Sequence, residues 1–570
     1  MAGDVINIKV FSPLKLPSGL TGNCHAIYHY SYNLTLYAIN QIKLEIMKTK
    51  ILIISLLFLG IIGCQNNSKT AEESKPTAKE LKTFAQTTEL PEGLHTPDVV
   101  ETSIGALNFI DGAPLPETAE LVYENLDRMR GVDVFLKCMS AASVRQLILG
   151  PEALGANHNN KVLIYDNLMD SKPYFLTGNT STLYVLPTFN LKETGATVVE
   201  VPPGMLGAFN DAWFRYMQDV GPMGPDKGKG GKFLLLPPDY EGDIPTGYFV
   251  VKSPTYRVWT FMRGSIANGI EAGAKNITEN LKVYPLAQKD NPSKMEFISG
   301  SGKHINTVHD NDYHFYEHVN AVIQEEPLEM IDAETRGLLA SIGIEKGKEF
   351  NPDKRMKRIL TDAVAIANAT ARSLVWYPRV SGSVDNMKGV QVYADTNSAW
   401  NMAWVDKNVF FNGKDGQTMN SDARTMYHYS YTAVTPAMAV TIPGAGSDYG
   451  IAYVDAEKQP MDGALTYKIH VPANPPAKDF WAITAYDTQT RSQLQTDQKL
   501  PTVGSQTEGL KMNDDGSVDI YLGPEAPAGY ENNWLQTIPG KSWFAGFRMY
   551  GPLEAWIDKS WRPSEITKVK

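Results

Sequence analysis

His314, Glu317 and His318 stand as His-x-x-Glu-His within His314-Phe315-Tyr316-Glu317-His318, the order of an inverted zinc-peptidase motif. On a helix, residues four apart share a face, so both imidazoles could hold one Zn2+ while Glu317 activates a water as general base. Such a site needs a third ligand from a helix downstream, while His304 and His309 in the preceding loop could enlarge a metal cluster. The competing reading, which we favour, is an amphipathic helix with Phe315 and Val319 turned inward. A second constellation is Asp487 after Tyr486, with Arg491 close by and Arg548 downstream, and its counterpart is Asp211 with Arg215 and Arg263. Charges beside aromatic strands are expensive to bury unpaired, so such pairs either lock strands together or line a cavity. As catalytic candidates, Asp487 and Asp211 would supply carboxylate acid–base chemistry, flanked by Arg491 and Arg548. Asn179, Tyr184, Arg215 and Tyr486 are candidates for holding a ligand, although Asn179 could equally serve the turn at Gly178-Asn179.

Several other chemistries lack their residues. Gly224 to Lys232 is glycine- and lysine-rich but precedes the apolar run Phe233 to Leu236, without Walker spacing. No Gly-x-Ser-x-Gly elbow occurs, and no Cys–His pair suggests nucleophilic catalysis. A net charge of −10 disfavours a nucleic-acid partner, whose phosphates require clustered Lys and Arg. Five of the tryptophans, Trp213, Trp259, Trp481, Trp534 and Trp543, could face a flat ligand or a sugar, but on strands they are more often core.

The elements that would carry these residues follow from periodicity. Apolar residues from Leu121 to Leu147 recur at helical spacing, which predicts helix over Pro116 to Gly150. From Lys161, short β-rich runs separated by Gly and Pro predict antiparallel sheet, with strands at 162–165, 183–186, 197–201, 233–236, 248–251 and 258–262. Helical patterning begins near Ile270 and resumes over 313–323, 332–341 and 353–374; beyond Pro378 the chain reads as β again. The two β regions share an order of features. Phe233 to Leu236 leads to Pro245-Thr246-Gly247-Tyr248 and a strand ending at Met262-Arg263-Gly264, while Val518 to Leu522 leads to Pro527-Ala528-Gly529-Tyr530 and a strand ending at Phe547-Arg548-Met549. Upstream, Asp211-Ala212-Trp213-Phe214 matches Asp479-Phe480-Trp481 in the same order. This implies a diverged duplication of one sandwich unit.

At the other end, Met47-Lys48-Thr49-Lys50, the apolar run Ile51 to Ile62 and Gly63-Cys64 read as a signal peptide with a lipobox. The expectation is acylation at Cys64, attachment to a membrane by lipid, and a place in the cell envelope at the outer membrane, facing the periplasm. Only three cysteines occur, so no disulfide framework holds the fold. The expected organisation is 1–46 an upstream extension from a start assigned too early, 47–64 the signal, 65–90 a flexible tether and 91–160 a helical segment. A first β-sandwich over 161–265, a helical connector over 266–377 and a second β-sandwich over 378–570 complete it. The fold class is mainly β with α.

Long stretches match one pattern: Asn179 with Thr182-Leu183-Tyr184, Trp213-Phe214-Arg215, Gln324-Glu325-Glu326-Pro327, Thr435-Pro436-Ala437-Met438, Gln489-Thr490-Arg491-Ser492 and Ser560-Trp561-Arg562-Pro563. On these the chain resembles bacterial proteins that pair the domains of unknown function 1254, near Leu163 to Gly264, and 1214, near Met461 to Pro552. The resemblance implies two jelly-roll-like antiparallel β-sandwich domains plus a helical layer, and a homo-oligomer, with no agreed activity. Many members carry an acidic residue where Ser181 stands, so a role for that carboxylate does not transfer. Three functions remain: a lipoprotein binding, with or without turnover, a small organic or sugar-like ligand in a sandwich cavity; a metal-dependent hydrolase; and a structural or protein-interaction module of the envelope.

Overall fold

Proline lacks a backbone N–H and is tolerated where a helix starts, and in the computed structural model, which describes residues 87–569 apart from Asp395, Lys414 and Asp415, Pro116 opens α1 (Pro116–Ala153). Cys64, the signal and most of the tether lie outside the described residues. Helices α2 (His314–Glu325), α3 (Lys354–Trp376) and α4 (Ser421–Ser430) pack with α1 into one layer. Side chains cap two of these starts: Asp353 accepts the N–H of Met356, and Asn420 that of Ala423. The α1–α3 crossing is close because Gly131 has no side chain; a Cβ there would lie 2.8 Å from the Cβ of Ala363.

Two β units flank this layer. The first runs β1 (Lys161–Ile164), β2 (Leu183–Leu186), β3 (Thr188–Asn190), β4 (Thr197–Val201), β5 (Met205–Asp211), β6 (Tyr216–Val220), β7 (Gly231–Leu236), β8 (Phe249–Lys252), β9 (Arg257–Gly264) and β10 (Lys282–Pro285). The second runs β11 (Trp400–Asn401), β12 (Ser447–Ala452), β13 (Met461–Asp462), β14 (Tyr467–Val471), β15 (Ala477–Asp487), β16 (Thr502–Gly504), β17 (Val518–Gly523), β18 (Trp534–Gln536), β19 (Ser542–Pro552) and β20 (Thr567–Lys568). In the first unit the strand orders are β1-β2-β9-β5-β6, with β3 also on β9, and β8-β7-β4-β10; the second repeats both as β11-β12-β19-β15-β16, with β13 on β19, and β18-β17-β14-β20. Even the senses agree, since β7–β8 and β17–β18 are the parallel pairs among these strands and the others are antiparallel. The duplication read from the sequence is thus present in these strands, and the first unit's larger sheet adds Glu296–Ser299, parallel to β1, which has no counterpart in the second.

The register also corrects one detail of that reading. Asp211 pairs with Val258 and Arg263 with Leu206, while Asp487 pairs with Trp543 and Arg548 with Ala482. Asp211 therefore corresponds to Asp487, not Asp479, and Arg263 to Arg548. Tyr184 opposite Arg263 likewise corresponds to Tyr449 opposite Arg548.

Alternation along the strands explains where the first unit faces. Leu183 and Val185 of β2 and Val258 and Met262 of β9 point into an apolar cluster shared with Val199, Phe233 and Val283 of the smaller sheet. The intervening Tyr184, Leu186, Trp259 and Phe261 point the other way, into the cluster formed with the helices and the second unit. The sheet is buried on both faces, which is why its strands read as continuous apolar runs.

Three expectations are revised. The fold is mixed α/β, with 28% helix and 27% strand, instead of mainly β. Long helices and α4, which falls in the region expected to be β, account for the difference. The sheets mix parallel and antiparallel pairs because the connections between β7 and β8 and between β17 and β18 cross over; none is closed, and jelly-roll connectivity is not shown. Among the described residues no helix is long and apolar enough to cross a membrane.

Candidate functional site

The zinc-peptidase pattern does lie on a helix, α2, whose Phe315, Tyr316 and Val319 are buried. His314 is exposed and its Nδ1 lies 2.9 Å from Asp312, a contact that raises its pKa; Nε2 of His318 lies 2.9 Å from Asp310. Glu317 is exposed. His304 bonds to the carbonyl of Lys172, and His309 is enclosed, with burial and then Arg491 pushing its pKa down to about 3. Among the described residues no group of three or more His, Cys, Asp or Glu is placed to hold a metal ion, so the structure does not assemble the Zn site.

The two Asp–Arg constellations close turns. Asp211 is fully buried; its carboxylate accepts the N–H groups of Trp213 and Arg215 at 2.8 and 2.9 Å and pairs with Arg215 Nε at 2.6 Å. Burial raises its pKa against the pull of Arg215. Asp487, at the equivalent position, accepts the N–H groups of Gln489 and Thr490 and pairs with Lys541. Arg491 is not its ion-pair partner. The Arg491 guanidinium lies 4.1 Å from the Tyr429 ring centre and donates to the carbonyls of Tyr429 and Gln489. Arg215 reaches the carbonyl of Met330. None of Asp211, Asp487, Arg215 and Arg491 lines the aromatic cavity that holds the other candidates.

That cavity lies between the two β units and does collect Asn179, Tyr184, Tyr486 and Arg548. The centre of a water molecule can reach only about 50 Å3 of it, so it is a narrow slot. Its walls are aromatic, chiefly Tyr184, Phe261, Trp404, Tyr431, Tyr449 and Tyr486. Equivalent pairs enter from the two units: Arg263 with Tyr184, and Arg548 with Tyr449. Segments around Trp404 and the end of α4 cover it.

Arg548 is 8% exposed and donates to Tyr486 Oη at 2.6 Å and the carbonyl of Thr177 at 2.7 Å; Tyr486 in turn donates to the carbonyl of Gly178 at 3.0 Å. Burial works against its charge, but the surrounding phenols of Tyr486, Tyr550, Tyr449 and Tyr184 hold its pKa above the ordinary value. Arg263 differs. It is 6% exposed, its Nε has no partner, and its side chain makes no hydrogen bond or ion pair among the described residues. The nearest ring, Phe261, lies 5.6 Å from the guanidinium carbon. Asn179 uses its side-chain oxygen on the N–H groups of Ser181 and Thr182, and its own N–H donates to Tyr184 Oη at 3.1 Å. Burial pushes the Tyr184 phenol up to about 12, with Arg263 and Arg548 pulling the other way, so it stays protonated at neutral pH. The lining holds no carboxylate and no imidazole.

Sequence reasoning missed Tyr449, Tyr431 and Trp404 as site residues and named Arg263 only as a counterpart. Aligning the two Arg-bearing strands would have found Arg263 and Tyr449; the aromatic run Tyr427-His428-Tyr429-Ser430-Tyr431 was the remaining signal.

No curated protein matches the chain. A structural-genomics target protein from Vibrio parahaemolyticus is similar at 16% identity, covering 78% of this chain and 100% of its own, with a TM-score of 0.45. An uncharacterized protein from Burkholderia cenocepacia is similar at 11% identity, covering 79% of this chain and 96% of its own, with a TM-score of 0.34. Residues 159–285 match the model of a protein of unknown function (DUF1254) and residues 446–554 that of a protein of unknown function (DUF1214), so the first β unit and most of the second are these two domains, both carried by this chain.

Proposed function

We propose that the protein binds a small organic ligand in the slot between its two β units. The carrying observation is Arg263, a buried cation without a protein partner on the wall of an aromatic cavity. Buried polar groups are hydrogen-bonded as a rule, and a cavity that is mostly apolar with a few convergent polar groups is the usual form of a ligand site. Without a carboxylate or imidazole in the lining, binding accounts for the residues better than acid–base turnover does. Jelly-roll-like sandwiches belong to the same reading, supported by the apolar cluster that the two sheets of the first unit share.

The test is small-molecule mass spectrometry of the purified full chain after denaturation, beside a thermal-shift screen of wild type and Ala403→Phe, which fills the slot from a covering loop. A molecule released by wild type and absent from the variant supports the proposal. Nothing released, together with no compound that stabilises wild type over the variant, overturns it.

The envelope setting is proposed on the Met47 to Cys64 pattern alone. Cys64→Ser should move the protein out of the membrane fraction, and continued membrane attachment of that variant would end the lipoprotein reading.

A further inference from the structure

Arg263 and Arg548 line the same cavity, although they come from different β units. Neither has a carboxylate partner, since Arg548 spends its hydrogen bonds on a phenol and a carbonyl and Arg263 has none. Nε of Arg548 is also without a partner. A guanidinium in a largely apolar cavity without an ion-pair partner forgoes its hydration, which is unfavourable by roughly several kcal/mol unless an opposite charge arrives. Guanidinium matches the fork of a carboxylate in shape and charge. The remaining walls, aromatic and closely spaced, suit a flat apolar body and leave little room for a bulky one.

We infer that the ligand is a planar organic carboxylate, its carboxylate received by Arg263 and Arg548 and its flat body held between the tyrosine and phenylalanine rings of the slot. This rests on the ligand-binding proposal and narrows it to a charge and a shape. Equivalent Arg–Tyr pairs from the two units, Arg263 with Tyr184 and Arg548 with Tyr449, thus face one cavity. Tyr184 is a protonated phenol beside them and adds a neutral donor.

The test measures melting temperature and heat of binding for the full-length protein with benzoate, with its neutral isostere benzamide and with non-planar cyclohexanecarboxylate, at fixed ionic strength. Wild type and Arg263→Met are compared, with circular dichroism to establish that each is folded. Benzoate is expected to stabilise wild type in a dose-dependent way and to bind at least about tenfold more tightly than either comparison compound. Arg263→Met should lose about tenfold or more of that affinity. Equal binding of benzoate and benzamide, or release of an uncharged molecule from the purified protein, would overturn the carboxylate inference and leave the ligand-binding proposal standing. Cyclohexanecarboxylate binding as tightly as benzoate would remove the planar requirement. No response to any of the three, with nothing released on denaturation, would overturn both.

Discussion

Replacing each cavity arginine by methionine should change stability in opposite directions, although both are buried cations of the same cavity. In the ligand-free protein Arg263 contributes an enclosed charge with an unpartnered Nε and no hydrogen bond to lose. Methionine fills a similar length, removes the charge and meets Phe261, against which a thioether packs well. Exchanging a buried ion for an apolar side chain of similar volume stabilises by about 1–4 kcal/mol in comparable cases. Arg548→Met removes the donor to the Thr177 carbonyl and to Tyr486 Oη. An orphaned buried acceptor costs about 1–3 kcal/mol, so this variant should lose stability by about that much. Urea unfolding of both ligand-free variants against wild type reads the two signs directly. For a folded unit of this size, the melting temperature moves by about 1 °C per kcal/mol on the usual unfolding entropy per residue. A destabilised Arg263→Met, falling as far as Arg548→Met, would refute the claim that Arg263 is unpaired in the free protein and would remove the ground for the ligand site.

Glu326 supplies a pH test. Burial pushes its pKa up to about 7, against the N–H groups of Arg257 and Tyr256, which favour the ionised form. A carboxyl raised in the folded state keeps its full contribution below the unfolded value, near 4.5, and loses it as pH rises through about 7. Wild type should therefore lose about 2–3 kcal/mol relative to Glu326→Gln between pH 5 and pH 8, read as the difference in urea midpoints; parallel midpoints would contradict the raised pKa. His428 acts at the acid side: burial, then Arg424, pushes it down to about 3, so its neutral form stabilises the fold above about 6.5 and that contribution fades as pH falls. His428→Phe keeps ring contact with Phe214 and Phe411 and should gain about 2 kcal/mol on wild type at pH 5 relative to pH 8; an unchanged acid transition followed by tryptophan fluorescence would argue against it. Gly131→Val should destabilise by about 2 kcal/mol or more through overpacking of the α1–α3 crossing, measured by thermal unfolding; wild-type stability in this variant would mean the helices separate freely.

Much of the scaffold is legible in period and punctuation. The strand Leu183–Leu186 and the helices that begin after Asp332 and Asp353 fall where apolar spacing and capping residues place them. Strand β5 was missed because Met205 to Asp211 mixes Gly, Ala and Asn into a buried run, and its apolar character comes from what packs on it. Helix α4 was missed because its face is made of Tyr and His, poor helix formers stabilised by burial against α3 and α1. The candidate site was half legible: Tyr184, Tyr486 and Arg548 line one cavity, whereas Asp487 and Arg491 belong to a turn whose ion pair goes to Lys541, just before the strand paired with β15. Sequence can mark a charge as unusual in an aromatic strand. Which partner satisfies it depends on contacts between segments hundreds of residues apart.

Duplication bears on this in two opposite ways. Equivalent residues in two copies of a unit ordinarily serve the shared scaffold, and Asp211 and Asp487 follow that rule by capping the same turn in each copy. Arg263 and Arg548 are equivalent as well, and so are Tyr184 and Tyr449, yet all four line the one cavity. The difference lies in the face. The aspartates satisfy their own unit locally, so their positions are complete within either copy. The Arg–Tyr pairs project from the face that each unit turns toward the other, so packing the copies together brings two cations to one cavity. Arg548 there bonds Thr177 and Tyr486, whereas Arg263 has no partner in the free protein. Repetition therefore marks a residue as structural only when its partners lie inside its own copy; where the repeated faces meet, the same repetition builds a receptor for the opposite charge.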